Sequence, residues 1–265
     1  MNVRLVALDL DGTLLDTDNR VSEANARAVA RVRERGIIVV LATSRWYELA
    51  RRNAEELGVS APLICHNGAL VRTLPDGHDL LRLEIPPEPA MDVAGFIDAA
   101  GYTAITTVGD ITYVRWRQPA DPARLLPGMR LAARHAPFVK EGASAFLVFG
   151  QEGVEAVIGA FAEKYRGVLN LARGYSETYP PYLNIVHGEA DKGRALALVC
   201  EQLEVGAQEV MAMGDAGPDL SMLEFAGLGV AVGNAAPEVK AVANVVAPRN
   251  TEDGVAWALE HYVLS

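Results

Sequence analysis

Short apolar runs alternate with helix patterns at the start of the chain, and this alternation constrains the fold most strongly. Val3–Leu8 and Ile37–Ala42 are rich in leucine and β-branched residues, which is typical of strands buried on both faces. Ser22 as an N-cap and Gly36 as a terminator bound the helix between them, and Trp46–Leu57 predicts another helix. Because such units cross over in the right-handed sense, we expect an α/β fold with a Rossmann-like parallel sheet.

The same rhythm returns near the C-terminus, but the middle of the chain has a different pattern. Gly109-Asp110 separates two strand patterns and predicts a hairpin. The prolines of Pro86–Pro89 are expected to interrupt the chain before a helix over Val93–Ala99. This mixture predicts an inserted α+β domain. The expected boundaries are residues 1–78 and 189–265 for the core and residues 79–188 for the insertion.

A polar side chain follows every strand of the predicted core sheet. Asp9 and Asp11 come directly after the first strand, and Gly12 allows the backbone to turn there. Because ligands of open α/β sheets bind beyond the carboxyl ends of the strands, we expect these ends to form one site. The other strand ends carry Thr43-Ser44-Arg45, His66-Asn67-Gly68 after a short strand at Leu63–Cys65, Gly214-Asp215 with Asp219 close behind, and Gly233-Asn234.

Carboxylates clustered at one edge indicate a bound cation. They repel one another and lose hydration unless a positive charge joins them, and their oxygens suit a hard divalent ion. Lys192 opens a predicted helix, where the macrodipole favours anions, so its place is explained by contact with an anion or a carboxylate. For Arg45 a core carboxylate and an anionic ligand are both open as partners. The acidic side chains expected to converge are Asp9, Asp11, Asp215 and Asp219.

The charge balance narrows the class of ligand. The 265 residues include 34 Asp+Glu against 24 Lys+Arg, which gives a formal charge of −10. A chain without a basic surplus is poorly suited to nucleic acid, so we expect no nucleic-acid partner. An anionic small molecule would need a local attraction, and a metal ion would supply it.

Further sequence features indicate the cellular compartment in which the protein is expected. No apolar run approaches the ~20 residues of a membrane span, and no signal-peptide pattern is present, so we expect a cytoplasmic protein without membrane contact. Two cysteines exclude a disulfide framework and a cysteine-rich metal site. We expect Cys65 and Cys200 to be reduced thiols in the core.

Four motifs together resemble the haloacid dehalogenase superfamily. They are Asp9-Leu10-Asp11-Gly12-Thr13, Ala42-Thr43-Ser44-Arg45, Asp191-Lys192-Gly193 and Gly214-Asp215-x-x-Pro218-Asp219. His66-Asn67-Gly68-Ala69 and Gly233-Asn234-Ala235 resemble its Cof-like branch, the sugar-phosphate phosphatases with a type IIB cap. The likeness covers the predicted core, whereas the insertion matches such a cap in size, position and α/β character.

The resemblance implies roles for the residues that match its motifs. Asp9 would attack phosphorus and form an aspartyl-phosphate, and Asp11 would protonate the leaving oxygen and then deprotonate the hydrolytic water. Thr43 and Lys192 would hold the phosphoryl oxygens, with Ser44, Asn67 and Gly68 as further substrate-binding or phosphate-binding residues. Mg²⁺ would be held by Asp9, the backbone carbonyl of Asp11, and Asp215, with Asp219 as a ligand or a support.

The sequence departs from the family's pattern at two places. Pro218 stands where the family usually has an asparagine that helps to position the phosphoryl group, and proline offers no donor. Ser44 stands where the family often has glycine.

We expect a Mg²⁺-dependent phosphatase for small phosphomonoesters, with sugar phosphates as the class that the resemblance implies. The inserted domain would act as a mobile cap that excludes water and selects the leaving group. The alternatives are a phosphotransferase or phosphosugar mutase of the same superfamily, and a non-catalytic phospho-acceptor or binding protein. The expected partner is a small phosphorylated metabolite, and the protein would be a monomer or a homodimer.

Overall fold

The chain forms two compact units in the computed structural model, which describes residues 2–116, 125–126, 128–174 and 180–265. One unit is Met1–Leu81 together with Asp191–Ser265, and the other is Arg82–Ala190. Within the described ranges, every helix is too short or too polar to cross a lipid bilayer.

Strands and helices alternate over most of the described chain. The strands are β1 (Leu5–Leu8), β2 (Ile38–Leu41), β3 (Leu63–Cys65), β4 (Leu70–Arg72), β5 (Asp79–Arg82), β6 (Ala104–Val108), β7 (Ile111–Arg115), β8 (Met129–Leu131), β9 (Ala145–Phe149), β10 (Leu169–Gly174), β11 (Tyr182–His187), β12 (Val210–Gly214), β13 (Leu228–Ala231) and β14 (Val245–Val246). The helices are α1 (Glu23–Glu34), α2 (Tyr47–Leu57), α3 (Pro87–Ala100), α4 (Gln151–Phe161), α5 (Lys192–Gln202), α6 (Leu220–Phe225), α7 (Pro237–Val242) and α8 (Gly254–Tyr262).

A parallel sheet forms the centre of the first unit. Among the described residues it has five strands in the order β14-β13-β12-β1-β2. Strand β1 lies between β12 and β2, and Leu8 is in register with Met213 on one side and Leu41 on the other. Every residue of β1 and β12 is buried, which explains why these strands read as continuous apolar runs. The predicted α/β fold with a parallel core sheet is confirmed.

The short strand β3 departs from the prediction because it does not continue the parallel sheet. The chain reverses directly after it, and β4 returns antiparallel in a separate sheet of order β3-β4-β5. A parallel bridge between Ala42 and Ile64 nevertheless joins the end of β2 to β3. The N–H of Thr43 donates to the carbonyl of Ile64 at 2.8 Å, so the polar residues after both strands lie together.

The helix ends follow local sequence rules, with one correction. Ser22 caps α1 by accepting a hydrogen bond from the N–H of Asn25, and Gly58 ends α2 with φ of 63°. The prolines after Ile85 were expected to precede a helix, but α3 begins among them, at Pro87. A proline in the first turn removes only an N–H that has no partner within the helix, and its φ suits the helix.

The second unit has a mixed sheet with its own core. Its described strands are in the order β10-β11-β9-β6-β7-β8, and the pairs are antiparallel except β7 with β8. The hairpin predicted at Gly109-Asp110 joins β6 to β7. Phe146 of β9 is buried among apolar side chains of α3 and α4, including Val93 and Val157.

Both cysteines are free and buried in the first unit, as the sequence predicts. Burial disfavours the thiolate, and it raises the pKa of Cys65 to about 12 and the pKa of Cys200 to about 11. Both groups therefore stay protonated and unreactive at neutral pH.

His135 is a buried titratable group of the second unit. Its Nδ1 lies 2.8 Å from the hydroxyl of Thr106, and its Nε2 is buried without a protein partner among the described residues. Burial lowers the pKa of His135 from 6.5 to about 4, although the nearby Asp98 opposes this shift. Below pH 6.5 the unfolded chain therefore takes up a proton that the folded chain refuses.

We expect this histidine to destabilise the fold as the pH falls. The loss should amount to roughly 2 kcal/mol of unfolding free energy between pH 8 and pH 5. Urea unfolding at both pH values checks it, with His135→Asn as the comparison because asparagine does not titrate. Equal losses in the two proteins would contradict the prediction.

Candidate active site

The central strand of the parallel sheet carries Asp9 to the middle of the site. The N–H of Asp9 donates to the carbonyl of Met213 at 3.0 Å, which continues the pairing of β1 with β12. Thr43 follows β2 on one side, and Asp215 follows β12 on the other. The carboxyl ends of three adjacent strands therefore bring these side chains to one edge, as the sequence predicted.

Lys192 joins two of the carboxylates at this edge. It lies in the first turn of α5, where Asp191 caps the helix by accepting from the N–H of Arg194. Its Nζ donates to Asp9 Oδ1 at 2.7 Å and to Asp219 Oδ1 at 2.6 Å. All three side chains are at least 94% buried, so solvent screens these ion pairs only weakly.

The other oxygen of Asp219 fixes the loop after β12. Its Oδ2 accepts hydrogen bonds from the N–H groups of Asp215 and Ala216, both at 3.0 Å. The backbone approaches so closely there that a Cβ at Gly214 would lie 2.4 Å from the Cβ of Asp219. Asp219 thus holds Lys192 with one oxygen and the backbone beside Asp215 with the other.

Asp9, Asp215 and Asp219 form an acidic cluster. In the described part of the chain, one oxygen from each lies within 4.8 Å of the others. Asp9 Oδ2 is buried and accepts no hydrogen bond from the described residues, whereas Asp215 Oδ1 accepts one from the hydroxyl of Thr13 at 3.1 Å. Three hard oxygen donors of this kind suit a divalent cation such as Mg²⁺.

The electrostatics of the cluster reflect its burial. Burial raises the pKa of Asp9 well above its ordinary value, although Lys192 opposes the shift, and neighbouring carboxylates raise it further. Burial, with the charge of Asp219, raises the pKa of Asp215 to about 7. Burial alone would lower the pKa of Lys192, but the attraction of Asp219 and Asp9 outweighs it and the pKa is raised. The cluster has more negative charge than one lysine neutralises.

Gly12 brings the loop after β1 against Asp215. Its φ is 82°, and a Cβ there would lie 2.5 Å from Asp215 Oδ2. Its carbonyl accepts a hydrogen bond from Asn234 Nδ2 at 2.7 Å, and Asn234 Oδ1 accepts one from the N–H of Asn250 at 2.9 Å. The turn after the first aspartate pair is therefore tied to the loop after β13.

Among the described residues, the acidic cluster contains three of the four carboxylates expected to converge, and that of Asp11 is held separately. Arg45 holds it through two hydrogen bonds, Nε to Oδ2 at 2.8 Å and Nη2 to Oδ1 at 2.6 Å. Arg45 in turn donates to the side-chain oxygens of Asn19 and Asn53. The sequence left the partner of Arg45 open, and the structure identifies a carboxylate. A metal contact through the backbone carbonyl of Asp11 stays a prediction.

The polar residues after β2 and β3 are linked by their backbones. Thr43 Oγ1 accepts from the N–H of Arg45 at 3.1 Å, and the carbonyl of Thr43 accepts from the N–H of Asn67 at 3.0 Å. Ser44 is half-buried on the same loop. Gly68 faces the backbone of Asp191, where a Cβ would lie 2.3 Å from the carbonyl oxygen. Gly68 therefore has a packing role, since it lets the N-terminus of α5 approach.

Sequence reasoning assigned no role to Thr13, and it placed Gly12 at a turn and Asn234 at a strand end without predicting their contacts. Thr13 donates to Asp215, and Asn234 donates to the carbonyl of Gly12 and accepts from the N–H of Asn250. Asp215 is distant from Thr13 along the chain, and so is Gly12 from Asn234. Gly12 and Thr13 lie inside the first motif, so the motif could have indicated that both belong to the site. Pro218, half-buried beside Asp219, offers no donor.

Comparison with known proteins identifies the family. The model of the haloacid dehalogenase-like hydrolases matches residues 6–259. The chain belongs to this family. The resemblance inferred from the motifs is thereby confirmed, and so is the expectation of a hydrolytic enzyme.

The relatives of this hydrolase match it over nearly its whole length. The phosphatase YwpJ of Bacillus subtilis is 29% identical over 98% of this chain and 99% of its own. The pyridoxal phosphate phosphatase YbhA of Escherichia coli is 29% identical, and the alignment covers both chains completely. A crystal structure of a haloacid dehalogenase-like hydrolase from Bacteroides thetaiotaomicron has a TM-score of 0.82 at 27% identity and covers 97% of this chain and 98% of its own.

We expect Lys192→Met to destabilise the hydrolase by roughly 3 kcal/mol, because it leaves two buried carboxylates without their cation. Chemical denaturation at pH 8 measures this loss. Lys164→Met is the matched control, since Lys164 pairs with Asp92 at the exposed surface and should contribute nothing measurable. Similar stabilities for the two variants would contradict the assignment of Lys192 as the buried counter-charge.

Proposed function

We propose that the protein is a Mg²⁺-dependent phosphatase that hydrolyses small phosphomonoesters, with sugar phosphates as the substrate class, through an aspartyl-phosphate on Asp9. The observation that best supports this proposal is the hydrogen bonding of the two oxygens of the Asp9 carboxylate. One oxygen accepts from Lys192, and the other is buried without a hydrogen-bond donor among the described residues. An unpaired carboxylate oxygen at the carboxyl end of the central strand is well placed to act as a nucleophile.

Attack by a carboxylate on a phosphate ester must overcome the repulsion between two anions. Lys192 reduces this repulsion because its ammonium group already lies against Asp9. Two of its three donors are used by Asp9 and Asp219, so the third can serve a phosphoryl oxygen. The hydroxyl of Thr43 would supply a further hydrogen bond.

The reaction then proceeds in two displacements. In the first, Asp9 Oδ2 forms a bond to phosphorus while the bond from phosphorus to the ester oxygen breaks, and the leaving oxygen takes a proton from Asp11. In the second, water attacks phosphorus, its proton passes to Asp11, and the carboxylate of Asp9 is released with inorganic phosphate.

The contact with Arg45 affects how Asp11 can act as an acid and a base in this reaction. Its two hydrogen bonds hold the carboxylate of Asp11 in place, and in the proposed second displacement this carboxylate accepts a proton from water. Protonation for the first displacement turns one carboxylate oxygen into a donor, so one of these two bonds must then be given up.

The acidic cluster supports the dependence on a divalent cation. Asp9 and Asp215 would hold the ion, with Asp219 close by, and the three carboxylates, which outnumber the single lysine at this edge, fit such a ligand. When bound, Mg²⁺ would neutralise charge on the carboxylates and the phosphoryl oxygens as a Lewis acid.

We expect Asp9→Asn to abolish phosphate release from p-nitrophenyl phosphate and from a panel of sugar phosphates with Mg²⁺. The amide is a far weaker nucleophile, so activity should fall at least roughly 1,000-fold. Asp18→Asn, an exposed change on the following turn, should leave activity unchanged. Retained activity in Asp9→Asn would exclude the proposed nucleophile.

The same assay separates hydrolysis from transfer. A phosphatase releases one inorganic phosphate for each ester consumed, whereas a mutase converts the ester into an isomer without net release.

We expect Gly12→Ala to weaken cation binding, because the new methyl group would meet the carboxylate of Asp215. Gly36→Ala is the matched control, since its φ of 76° carries the same backbone strain but no atom of another described residue lies within 4 Å of the added Cβ. Calorimetric titration with Mg²⁺ should show at least a roughly tenfold weaker affinity for Gly12→Ala, because the carboxylate of Asp215 would be displaced as a ligand. Equal affinities in both variants would argue against a cation at Asp215.

A further inference from the structure

The turn after β13, residues 233–236, contacts two loops of the candidate active site. The side chain of Asn234 donates from Nδ2 to the carbonyl of Gly12, in the loop after β1, at 2.7 Å. The N–H of Ala236 donates to the carbonyl of Asp215, in the loop after β12, at 2.9 Å. The turn therefore bridges the loops that follow β1 and β12.

This turn is itself held by the surrounding backbone. The N–H of Gly233 donates to the carbonyl of Pro248 at 3.0 Å, and the carbonyl of Gly233 accepts from Lys240 Nζ at 2.6 Å. The chain is packed so closely there that a Cβ at Gly233 would lie 2.8 Å from the backbone nitrogen of Arg249. Because these contacts leave the turn little freedom, it is a rigid support for the two loops.

Both ends of the Asn234 amide are used. Oδ1 accepts from the N–H of Asn250 at 2.9 Å, while Nδ2 donates to the carbonyl of Gly12. A backbone N–H can only donate and a carbonyl can only accept, so these two partners determine which way the amide faces. Alanine or serine at this half-buried position could not make both bonds over the same span.

The residues that follow β1 face the carboxylate of Asp215. A Cβ on Gly12 would lie 2.5 Å from Asp215 Oδ2, and Thr13 Oγ1 donates to Asp215 Oδ1 at 3.1 Å. Glycine is the residue with the most backbone freedom, and the carboxylates of the acidic cluster repel one another. A glycine in a loop beside such a cluster needs an external contact to keep one conformation, and Asn234 supplies this contact.

We propose that Asn234 is a positioning residue for the cation site. By holding the carbonyl of Gly12, it keeps the loop after β1 against Asp215 and so preorganises the oxygens of the acidic cluster for a divalent cation. This inference rests on the cation dependence in the proposed function. A site that is competent only part of the time binds its ligand more weakly by that fraction, whereas a saturating ligand restores the competent state. Asn234 therefore acts on the affinity for the cation and not on the chemical step.

Asn234→Ala tests this role. The backbone of Asn234 lies outside the left-handed region, so alanine removes the amide without adding strain. For this variant and the wild type we would measure the unfolding free energy in urea without Mg²⁺ and the Mg²⁺ affinity by calorimetric titration. We would also measure the hydrolysis of p-nitrophenyl phosphate over a range of Mg²⁺ concentrations.

Asn25→Ala is the matched control, because Asn25 makes the same pair of hydrogen bonds away from Gly12. Its Nδ2 also donates to a carbonyl of the loop after β1, that of Leu14 at 3.5 Å, and its Oδ1 also accepts from a backbone N–H, that of Ala256 at 2.8 Å. Asn25 is 1% exposed, so its loss should reduce stability at least as much as the loss of Asn234.

We expect Asn234→Ala to bind Mg²⁺ roughly three- to tenfold more weakly, the range for a neutral hydrogen bond. The Mg²⁺ concentration at the half-maximal rate should rise by a similar factor, while kcat at saturating Mg²⁺ stays within about twofold of the wild type. Asn25→Ala should be less stable and yet bind Mg²⁺ with the wild-type affinity.

Three results would overturn the assignment while the proposed function stands. The first is wild-type Mg²⁺ affinity in Asn234→Ala. The second is an equal loss of affinity in both variants, which would follow from lower stability alone. The third is a fall in kcat that saturating Mg²⁺ does not restore. A wild type that binds no Mg²⁺ would overturn the cation dependence and this inference with it, whereas a wild type that binds Mg²⁺ but hydrolyses no ester would overturn the phosphatase proposal alone, because the calorimetric comparison still tests Asn234.

Discussion

The contact of Lys192 with Asp9 and Asp219 is the interaction on which the site depends. It joins residues 183 and 27 positions apart in the sequence, and it does so where burial leaves almost no solvent to screen the charges. Buried ion pairs of this kind add little net stability, because desolvation offsets their attraction. Their value here is geometric, since the ammonium group fixes the central carboxylate while its second oxygen accepts no hydrogen bond within the described part of the chain.

The local charge balance also explains how an acidic protein can accept an anionic substrate. The chain has a formal charge of −10, so long-range attraction of a phosphate ester is not available. At the site itself, three carboxylates face one lysine, and burial raises the pKa of Asp9 and Asp215. A divalent cation is the kind of ligand that relieves this imbalance, and it would give the edge the positive field that phosphate binding requires.

Sequence reasoning succeeded where a backbone rule decides the outcome. Strands buried on both faces produce continuous apolar runs, and parallel strands end at one edge, so the amino-acid sequence alone is enough to place Asp9, Thr43 and Asp215 together. It left the outcome open where side-chain partners decide. The pairing of Arg45 with Asp11 depends on side-chain geometry that motif spacing does not encode. The reversal after β3 likewise follows from left-handed backbone at His66 and Asn67, residues whose types only weakly indicate it.

Several features that cost stability lie at the same strand ends as the candidate chemistry. Gly12 takes a positive φ against Asp215, Asp9 keeps a buried oxygen unpaired, and Asn67 combines backbone strain with an unpaired amide. Away from this edge, buried Asn25 and Asn250 are hydrogen-bonded to backbone groups, whereas His135 Nε2 in the second unit is buried without a partner among the described residues. A sequence selected for stability alone would remove such costs, because glycine at position 67 would relieve the strain and the unpaired amide together. For the costs at this edge, a ligand that supplies hydrogen-bond partners and charge is a sufficient physical explanation.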